Sequence, residues 1–322
     1  FKESIKLNPN FTDARINLGV VYKILGNYEQ AINEYHKVID SNPEEFRALN
    51  NIGNLFLEKG DSKSAKQWFK QALSLKPSAS DVLNNLGLVY KAENQLKMAE
   101  KYFLKAIKEN KKSYEPALNL GITFQTTGQC LEAIKYYDIA LGINPELEIA
   151  LARKLNQHAT ICDWTTIQEY SHRIPELGTK GSAVTPFSML YLDDDPQKHH
   201  QRAKVYWNSQ KKAIKAVNFP RDDKKVKNRP IRLGYFSSEF HAHPVMHLLS
   251  GMFDLHDKTN FNISAFSVGP KVEDQLRSKF VDVFNKFHDV SSLSDSEIAN
   301  FISYRFLAVI MIITTFGLSQ NL

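Results

Sequence analysis

Asn17-Leu18-Gly19-Val20-Val21-Tyr22 returns as Asn51-Ile52-Gly53-Asn54-Leu55-Phe56, as Asn85-Leu86-Gly87-Leu88-Val89-Tyr90 and as Asn119-Leu120-Gly121-Ile122-Thr123-Phe124, each time after 34 residues. The same step carries an alanine column (Ala31, Ala65, Ala99, Ala133) and an aromatic column (Tyr35, Phe69, Phe103, Tyr137). A proline column of Pro9, Pro43, Pro77 and Pro145 skips only Lys111. Small residues at fixed offsets, an aromatic later in each helix and proline at the end of each period predict stacked antiparallel helix pairs. The spacing places Gly19 and Ala31 where the two helices of a pair approach closely, and Tyr22 and Tyr35 between successive pairs.

The pattern resembles the tetratricopeptide repeat and predicts an α-solenoid over residues 1–147, with full repeats at 12–45, 46–79, 80–113 and 114–147. Phe1 stands one period before Tyr35, so the chain is expected to begin inside a helix of an earlier, partial repeat, as a cut from a longer solenoid. A length of 322 residues suits two or three units. Two cysteines, Cys130 and Cys162, exclude a disulfide framework and favour a reducing, cytoplasmic setting. The net charge of +6 is concentrated around Pro220, from Lys211 and Lys212 to Arg229 and Arg232. No aromatic interleaving accompanies this run, which reads as a solvated linker with no nucleic acid as partner.

Asn17, Asn51, Asn85 and Asn119 occupy one position on the first helix of each pair and form a line along one surface. A primary amide donates and accepts, so such a line can hold a peptide backbone whatever its side chains. An amide before Leu-Gly can equally satisfy a neighbouring helix. The doubled pairs Asn50-Asn51 and Asn84-Asn85 do not choose between these readings.

After Pro145 the repeat columns stop, and residues 148–228 read as a helical connector followed by the basic linker. Helical patterning runs from Glu148 to His158 and from Trp164 to Ile174, and the stretch from Leu177 to Val184 reads as loop. Asp193-Asp194-Asp195-Pro196 reads as the cap of a helix carrying His199, His200 and Trp207, in preference to a metal site. From residue 229 to 322 the period changes. Strands at Ile231–Phe236 and Asn262–Val268 alternate with helices at Val245–Leu255, Glu273–Phe284 and Ser294–Phe306, and an apolar run closes at Leu307–Ile313. That alternation predicts a parallel, doubly wound α/β sheet. The run from Phe306 to Leu318 has 13 residues, short of the roughly 20 that cross a bilayer, and reads as a buried strand with no membrane span.

Chemistry concentrates at the end of the first strand, in Gly234-Tyr235-Phe236-Ser237-Ser238-Glu239-Phe240-His241-Ala242-His243-Pro244-Val245-Met246-His247-Leu248. Ligands of open α/β sheets bind outside the carboxyl ends of the strands, where this loop lies. A His-x-His pair leaving a strand also occurs in amidohydrolase barrels, but only 75 residues follow His247, against the roughly 200 that an eight-fold barrel needs. A histidine at a strand end can instead serve as a general base. For His247, beside Leu248 on an apolar helix, capping or packing is the simpler role.

Tetratricopeptide repeats, then Cys162-Asp163-Trp164, Pro186-Phe187 and Leu190, Ile231-Arg232-Leu233-Gly234-Tyr235, Ser237, Glu239-Phe240 and His243-Pro244, resemble in this order the O-linked N-acetylglucosamine transferases and their SPINDLY-like relatives. The similarity runs from Phe1 to about Val290. It implies a partial Rossmann-like first lobe of a two-lobed GT-B glycosyltransferase at 229–322, and transfer of N-acetylglucosamine from UDP-N-acetylglucosamine to Ser or Thr of proteins. The SPINDLY-like branch uses GDP-fucose. Carried over by position, His243 matches the histidine proposed as catalytic base, and His247 a second histidine of some members. Asn17, Asn51, Asn85 and Asn119 match a ladder that grips the acceptor polypeptide inside the superhelix. The resemblance implies neither a cofactor nor a metal, with protein acceptor and nucleotide sugar as the partners.

The terminal stretch Ile312-Ile313-Thr314-Thr315-Phe316-Gly317-Leu318 departs from the family pattern, as do Arg305 and Ala308. The second lobe, which in the family carries the sugar-nucleotide site, lies outside the chain. The expectation is therefore an internal fragment of a protein O-glycosyltransferase that binds its acceptor without turning over. The alternative is a non-catalytic repeat scaffold that holds a protein partner.

Overall fold

The computed structural model describes residues 1–8, 10–180, 184–211, 230–293, 297–298, 301 and 309–312. It divides the chain into two compact units, Phe1–Gln210 and Lys211–Leu322. Pro9, the basic residues from Lys212 to Arg229, most of the helix expected at Ser294–Phe306 and the divergent stretch after Ile312 lie outside the described residues.

The first unit is a ladder of helix pairs behind a short entry helix, α1 (Lys2–Leu7). The pairs are α2 (Thr12–Ile24) with α3 (Tyr28–Ser41), α4 (Phe46–Glu58) with α5 (Ser62–Leu75), α6 (Ser80–Ala92) with α7 (Leu96–Glu109), and α8 (Glu115–Thr126) with α9 (Cys130–Ile143). Each glycine of the 34-residue column faces the aromatic ring of its own pair. A Cβ on Gly19, Gly53, Gly87 or Gly121 would come within 2.4, 2.5, 2.5 or 2.6 Å of Tyr35, Phe69, Phe103 or Tyr137. The ring column thus closes the space within a pair, over the glycine, before it reaches the space between pairs that the spacing assigned to it. The second aromatic column also stacks inside its pair, Tyr90 on Tyr102 at 5.2 Å and Phe124 on Tyr136 at 5.5 Å. The Tyr35 hydroxyl is buried without a partner among the described residues, and burial, aided by the charge of Glu58, pushes its pKa up to about 12.

Between the helices of each pair the chain reverses through one left-handed residue: Gly26, Gly60, Asn94 and Gly128, at φ +75°, +79°, +57° and +72°. These are the helix-ending conformations that glycine and asparagine adopt most readily. The residue after each turn donates its N–H back to the aromatic column, as Gln95 does to the Tyr90 carbonyl at 2.8 Å.

The solenoid does not stop where the columns stop. Helix α10 (Glu148–Thr160) packs on α9, its Ala150 sharing an apolar cluster with Ala117 and Ala140. It ends at Cys162, left-handed at φ +59° and 34 residues beyond Gly128. Asp163 donates its N–H to the His158 carbonyl at 2.8 Å, repeating the turn of the earlier pairs, and caps α11 (Trp164–Glu169). Leu155 stands in the glycine column and Ser171 in the aromatic column, so the tight glycine-ring contact is missing and the period is lost to inspection.

Past α11, single 3-10 turns at Ile174–Glu176 and Pro186–Met189 lay Ile174, Leu177, Val184 and Met189 over Leu151 and Leu155. Helix α12 (Pro196–Lys211) locks this cover through the fully buried Arg202. Its guanidinium donates to the carbonyls of Leu177, Ile174 and Pro175 and to Asp193 Oδ2 at 2.6 Å. Of the three consecutive acids, Asp195 caps α12, as expected, through the N–H groups of Gln197 and Lys198, whereas Asp193 is the counter-ion of Arg202. The described part of the expected connector thus belongs with the repeats.

The second unit is a four-stranded parallel sheet in the order β3-β2-β1-β4, formed by β1 (Ile231–Ser237), β2 (Phe261–Ser267), β3 (Lys286–Asp289) and β4 (Val309–Ile312). Ile231 pairs with Phe261, Leu233 with Val309 and Ser264 with Lys286. Helices α13 (Pro244–Asp254) and α14 (Gln275–Val283) cover one face, where Met246, Phe253 and Phe280 meet Leu233, Tyr235, Ile263 and Ala265. Ile298 and Phe301 pack on Phe266 and Val290 of the opposite face. The sequence gives no sign of β3, because Lys-Phe-His-Asp holds one apolar residue and its alternation is too short to register. Among the described residues no helix is long and apolar enough to cross a membrane.

Gly87→Ala drives a methyl into the buried Phe103 ring and is expected to cost about 1–3 kcal/mol in urea unfolding. Gly142→Ala, on α9 with nothing within 4 Å, should instead be neutral or stabilise by up to about 1 kcal/mol. Burial raises the Asp193 carboxyl, but its hydrogen bond and ion pair with Arg202 hold it, in sum, below the usual carboxylate range. A carboxyl depressed on folding contributes stability that is fully present above its unfolded pKa near ~3.9 and lost as pH falls through the folded value. Asp193→Ala, which strands a buried guanidinium, should cost about 3–5 kcal/mol at neutral pH. The wild-type advantage over it should shrink on titration below about pH 4.

Candidate functional site

The asparagine column lies on α2, α4, α6 and α8, with Asn17 exposed and Asn51, Asn85 and Asn119 half-buried. Asn85 donates through Nδ2 to Asn50 Oδ1 at 3.0 Å, and Asn119 to Asn84 Oδ1 at 2.9 Å. Each bond reaches back to the preceding repeat, so the doubled asparagines have a purpose: Asn50 and Asn84 are the acceptors. Asn50 in turn donates to Asp81 Oδ2 at 3.3 Å. For Asn51 the corresponding residue is Ile16, which has no acceptor. The inter-repeat bond uses one of the two N–H groups of each amide. An N–H and the carbonyl oxygen of Asn85 and Asn119 have no side-chain partner among the described residues, so fastening neighbouring repeats does not exhaust the ladder's capacity to bind.

The second site is built by the sheet order. From β1 the chain steps to β2 and β3 on one side and places β4 on the other, with α13 and α14 on one face and Ile298 and Phe301 packed on the other, so the switch of direction lies at the carboxyl end of β1. Crevices of open α/β sheets form at that point, and the loop from Ser238 to His243 occupies it. The loop is held from three sides. Arg277, nearly buried, donates to the Phe240 carbonyl at 3.3 Å, to Ser267 Oγ at 3.2 Å and to Asp289 Oδ2 at 2.9 Å, tying together the ends of β1, β2 and β3. Asp274 caps α14 and accepts the Ala242 N–H at 2.7 Å. The Ala242 and Arg277 amides, with the nearby His241, hold its carboxyl below the ordinary range. Gly269 meets the loop from β2, where a Cβ would lie 2.1 Å from the Ser238 carbonyl oxygen. No motif in the sequence marks Arg277; its role exists only once the strand ends are side by side.

His243 is the N-cap of α13, in extended backbone at φ −134° and ψ 143°. Its Nδ1 accepts the Val245 N–H at 3.3 Å, and its Nε2 lies 3.4 Å from Glu239 Oε2. The capping role considered for His247 therefore belongs to His243. His247 and its neighbour Leu248 are exposed on α13, so neither packs. Glu239 is buried and accepts from Ser238 Oγ at 2.8 Å, while its own N–H donates to Ser237 Oγ at 3.0 Å. The His241 ring stands 6.0 Å from that of His243, with its Nδ1 buried and without a partner among the described residues.

This arrangement fixes a tautomer. An Nδ1 that accepts from Val245 carries no proton, so in the neutral ring the proton sits on Nε2, towards Glu239. A base acting through Nε2 needs the opposite tautomer, with the cap bond released. At 3.3 Å that bond is long and gives little resistance. Among the described residues no three His, Cys, Asp or Glu side chains are grouped to hold a metal ion.

The Glycosyl transferase family 41 description matches residues 161–314, and Tetratricopeptide repeat descriptions match residues 17–81 and 80–113. A 73-residue stretch is 30% identical to the probable UDP-N-acetylglucosamine--peptide N-acetylglucosaminyltransferase SEC of Arabidopsis thaliana, covering 23% of this chain and 8% of that protein. Among solved structures, a mutant of the Thermobaculum terrenum O-GlcNAc transferase is 20% identical, with a TM-score of 0.38, over 82% of this chain and 45% of that one. PilF of Pseudomonas aeruginosa is 20% identical, with a TM-score of 0.51, over 62% of this chain and 90% of that one, a likeness of repeat fold. The chain thus spans less than half the length of the transferases it resembles. Repeats similar to the tetratricopeptide repeat are thus followed in this chain by a segment, beginning at the turn after α10, that is similar to glycosyl transferase family 41.

Proposed function

We propose that this chain supplies the acceptor-binding repeats and the base-bearing strand end of a protein O-glycosyltransferase that moves N-acetylglucosamine from UDP-N-acetylglucosamine to Ser or Thr. The observation that carries this reading is the coincidence of the family 41 segment with a histidine at the crossover point of a parallel sheet. In the reaction the acceptor hydroxyl oxygen bonds to the anomeric carbon as the bond from that carbon to the UDP oxygen breaks. UDP leaves with the electron pair, and the hydroxyl proton passes to a base.

His243 is that base in our reading. Taking the proton at Nε2 requires the ring to carry its other proton on Nδ1 and to release Val245. The resulting imidazolium faces Glu239 Oε2 at 3.4 Å. Asn17, Asn51, Asn85 and Asn119 hold the acceptor backbone through the amide groups that the inter-repeat bonds leave over. The two free cysteines, Cys130 and Cys162, suit a cytoplasmic setting.

Two variants of this reading differ in chemistry. A SPINDLY-like enzyme would take GDP-fucose, and a scaffold would bind peptide through the repeats and transfer nothing. The test is incorporation of labelled sugar from each donor into a Ser/Thr peptide by the full-length gene product. We expect N-acetylglucosamine incorporation that His243→Ala lowers by about 10²–10⁴-fold, the range of general base catalysis, and that Glu239→Gln lowers less. Incorporation of fucose alone would reassign the donor. Peptide binding without incorporation from either donor would leave the scaffold.

A further inference from the structure

The asparagine column has a fifth member that is not asparagine. Counting on from Asn119 by the same step reaches Arg153, on α10, the helix by which the structure extends the solenoid. Arg153 Nη1 donates to Gln125 Oε1 at 3.1 Å, and the same oxygen accepts the Tyr137 hydroxyl at 2.6 Å. Gln125 occupies on α8 the place that Lys91 occupies on α6, one period earlier. Lys91, Gln125 and Arg153 therefore stand on three successive first helices, beside the end of the ladder.

These two cations lack the acidic partners that Lys154 and Lys66 have. Lys154, next along α10, meets Asp138 at 2.8 Å and the Tyr170 hydroxyl at 3.1 Å. Lys66 pairs with Glu93. Lys91 and Arg153 have no carboxylate within ion-pair distance among the described residues, and Arg153 Nε is buried without an acceptor. Lys91 is half-buried, and burial, followed by the charge of Arg153, lowers its pKa. Two half-buried cations on neighbouring first helices, neither with a carboxylate partner, favour the arrival of an anion. Arg153 still has a bond to give from a planar fork suited to carboxylate or phosphate, and Lys91 adds a point charge.

We propose that Arg153 and Lys91 form an anion subsite at the end of the asparagine ladder, which takes an acidic side chain of the extended polypeptide whose backbone lies on the amides. This rests on the ladder reading given under the proposed function and adds a charge preference to it. A carboxylate from Asp or Glu and a phosphate on Ser share the recognised chemistry.

The test is fluorescence anisotropy with the chain itself and three peptides of Ser, Thr and Ala that differ at one residue: Gln, Glu or phosphoserine. The Glu or the phosphoserine peptide should bind about tenfold more tightly than the Gln peptide, the factor of one charge-assisted hydrogen bond. The tighter of the two identifies the source of the anion. Arg153→Gln and Lys91→Gln should each reduce that preference while leaving the affinity for the Gln peptide unchanged, and Lys91→Glu should invert it. Equal affinity for all three peptides, or a preference that survives both Gln variants, overturns the subsite. A combined Asn85→Ala, Asn119→Ala variant separates the two readings: the ladder predicts equal weakening of all three peptides. Unchanged binding there, with the charge preference intact, refutes the ladder and upholds the subsite. Failure of the wild-type chain to bind any of the peptides refutes both.

Discussion

An aromatic ring pressed onto a glycine sets the spacing of every regular helix pair in the solenoid. The contact is too close for any side chain on the first helix, since a Cβ there would lie within 2.4–2.6 Å of a ring carbon. Rings as large as Phe69 and Phe103 are fully buried by it, which gives one pair both its main apolar burial and its geometry. Because the pairs share one geometry, a residue at a given offset recurs on the same surface. Without that regularity Asn85 would not reach Asn50, nor Asn119 reach Asn84.

Where the solenoid ends, the contact is given up. Leu155 fills the glycine position and Ser171 the ring position, yet the turn at Cys162 keeps the left-handed backbone and hydrogen bond of its predecessors. Backbone geometry therefore outlasts the side-chain pattern by one pair. The exposed end is then covered by the 174–189 segment, which Arg202 fastens from α12 with three carbonyls and one carboxylate. A guanidinium so fully satisfied is affordable in a dry position, and it fixes a segment that has no long helix of its own.

At the sheet, one histidine carries two demands that oppose each other. As the cap of α13, His243 offers the Nδ1 lone pair to a backbone N–H; as a base at Nε2 it would hold its neutral-state proton on Nδ1. Glu239 faces His243 Nε2 from a buried position braced by the two serines at the end of β1. The loop does not set this geometry alone. Asp274 and Arg277 reach it from the cap and first turn of α14, so the positions of the histidines depend on contacts made more than 30 residues away.

The sequence by itself determined the repeat, its pairs and turns, the line of asparagines, and the change from helical to alternating periodicity before Ile231. Each of these is local or periodic, and side-chain size and backbone freedom at fixed offsets suffice to specify them. It left undetermined whether the asparagines serve the fold or a ligand, and the structure assigns part of the Asn85 and Asn119 amides to the fold. Tertiary structure alone decided the fifth pair, the strand at Lys286–Asp289, the burial of Arg202 and Arg277, the cap at His243 and the bond of Arg153 to Gln125. In each of these the partners are brought together by packing of distant segments, and no spacing along the chain encodes a contact whose distance is set by the fold.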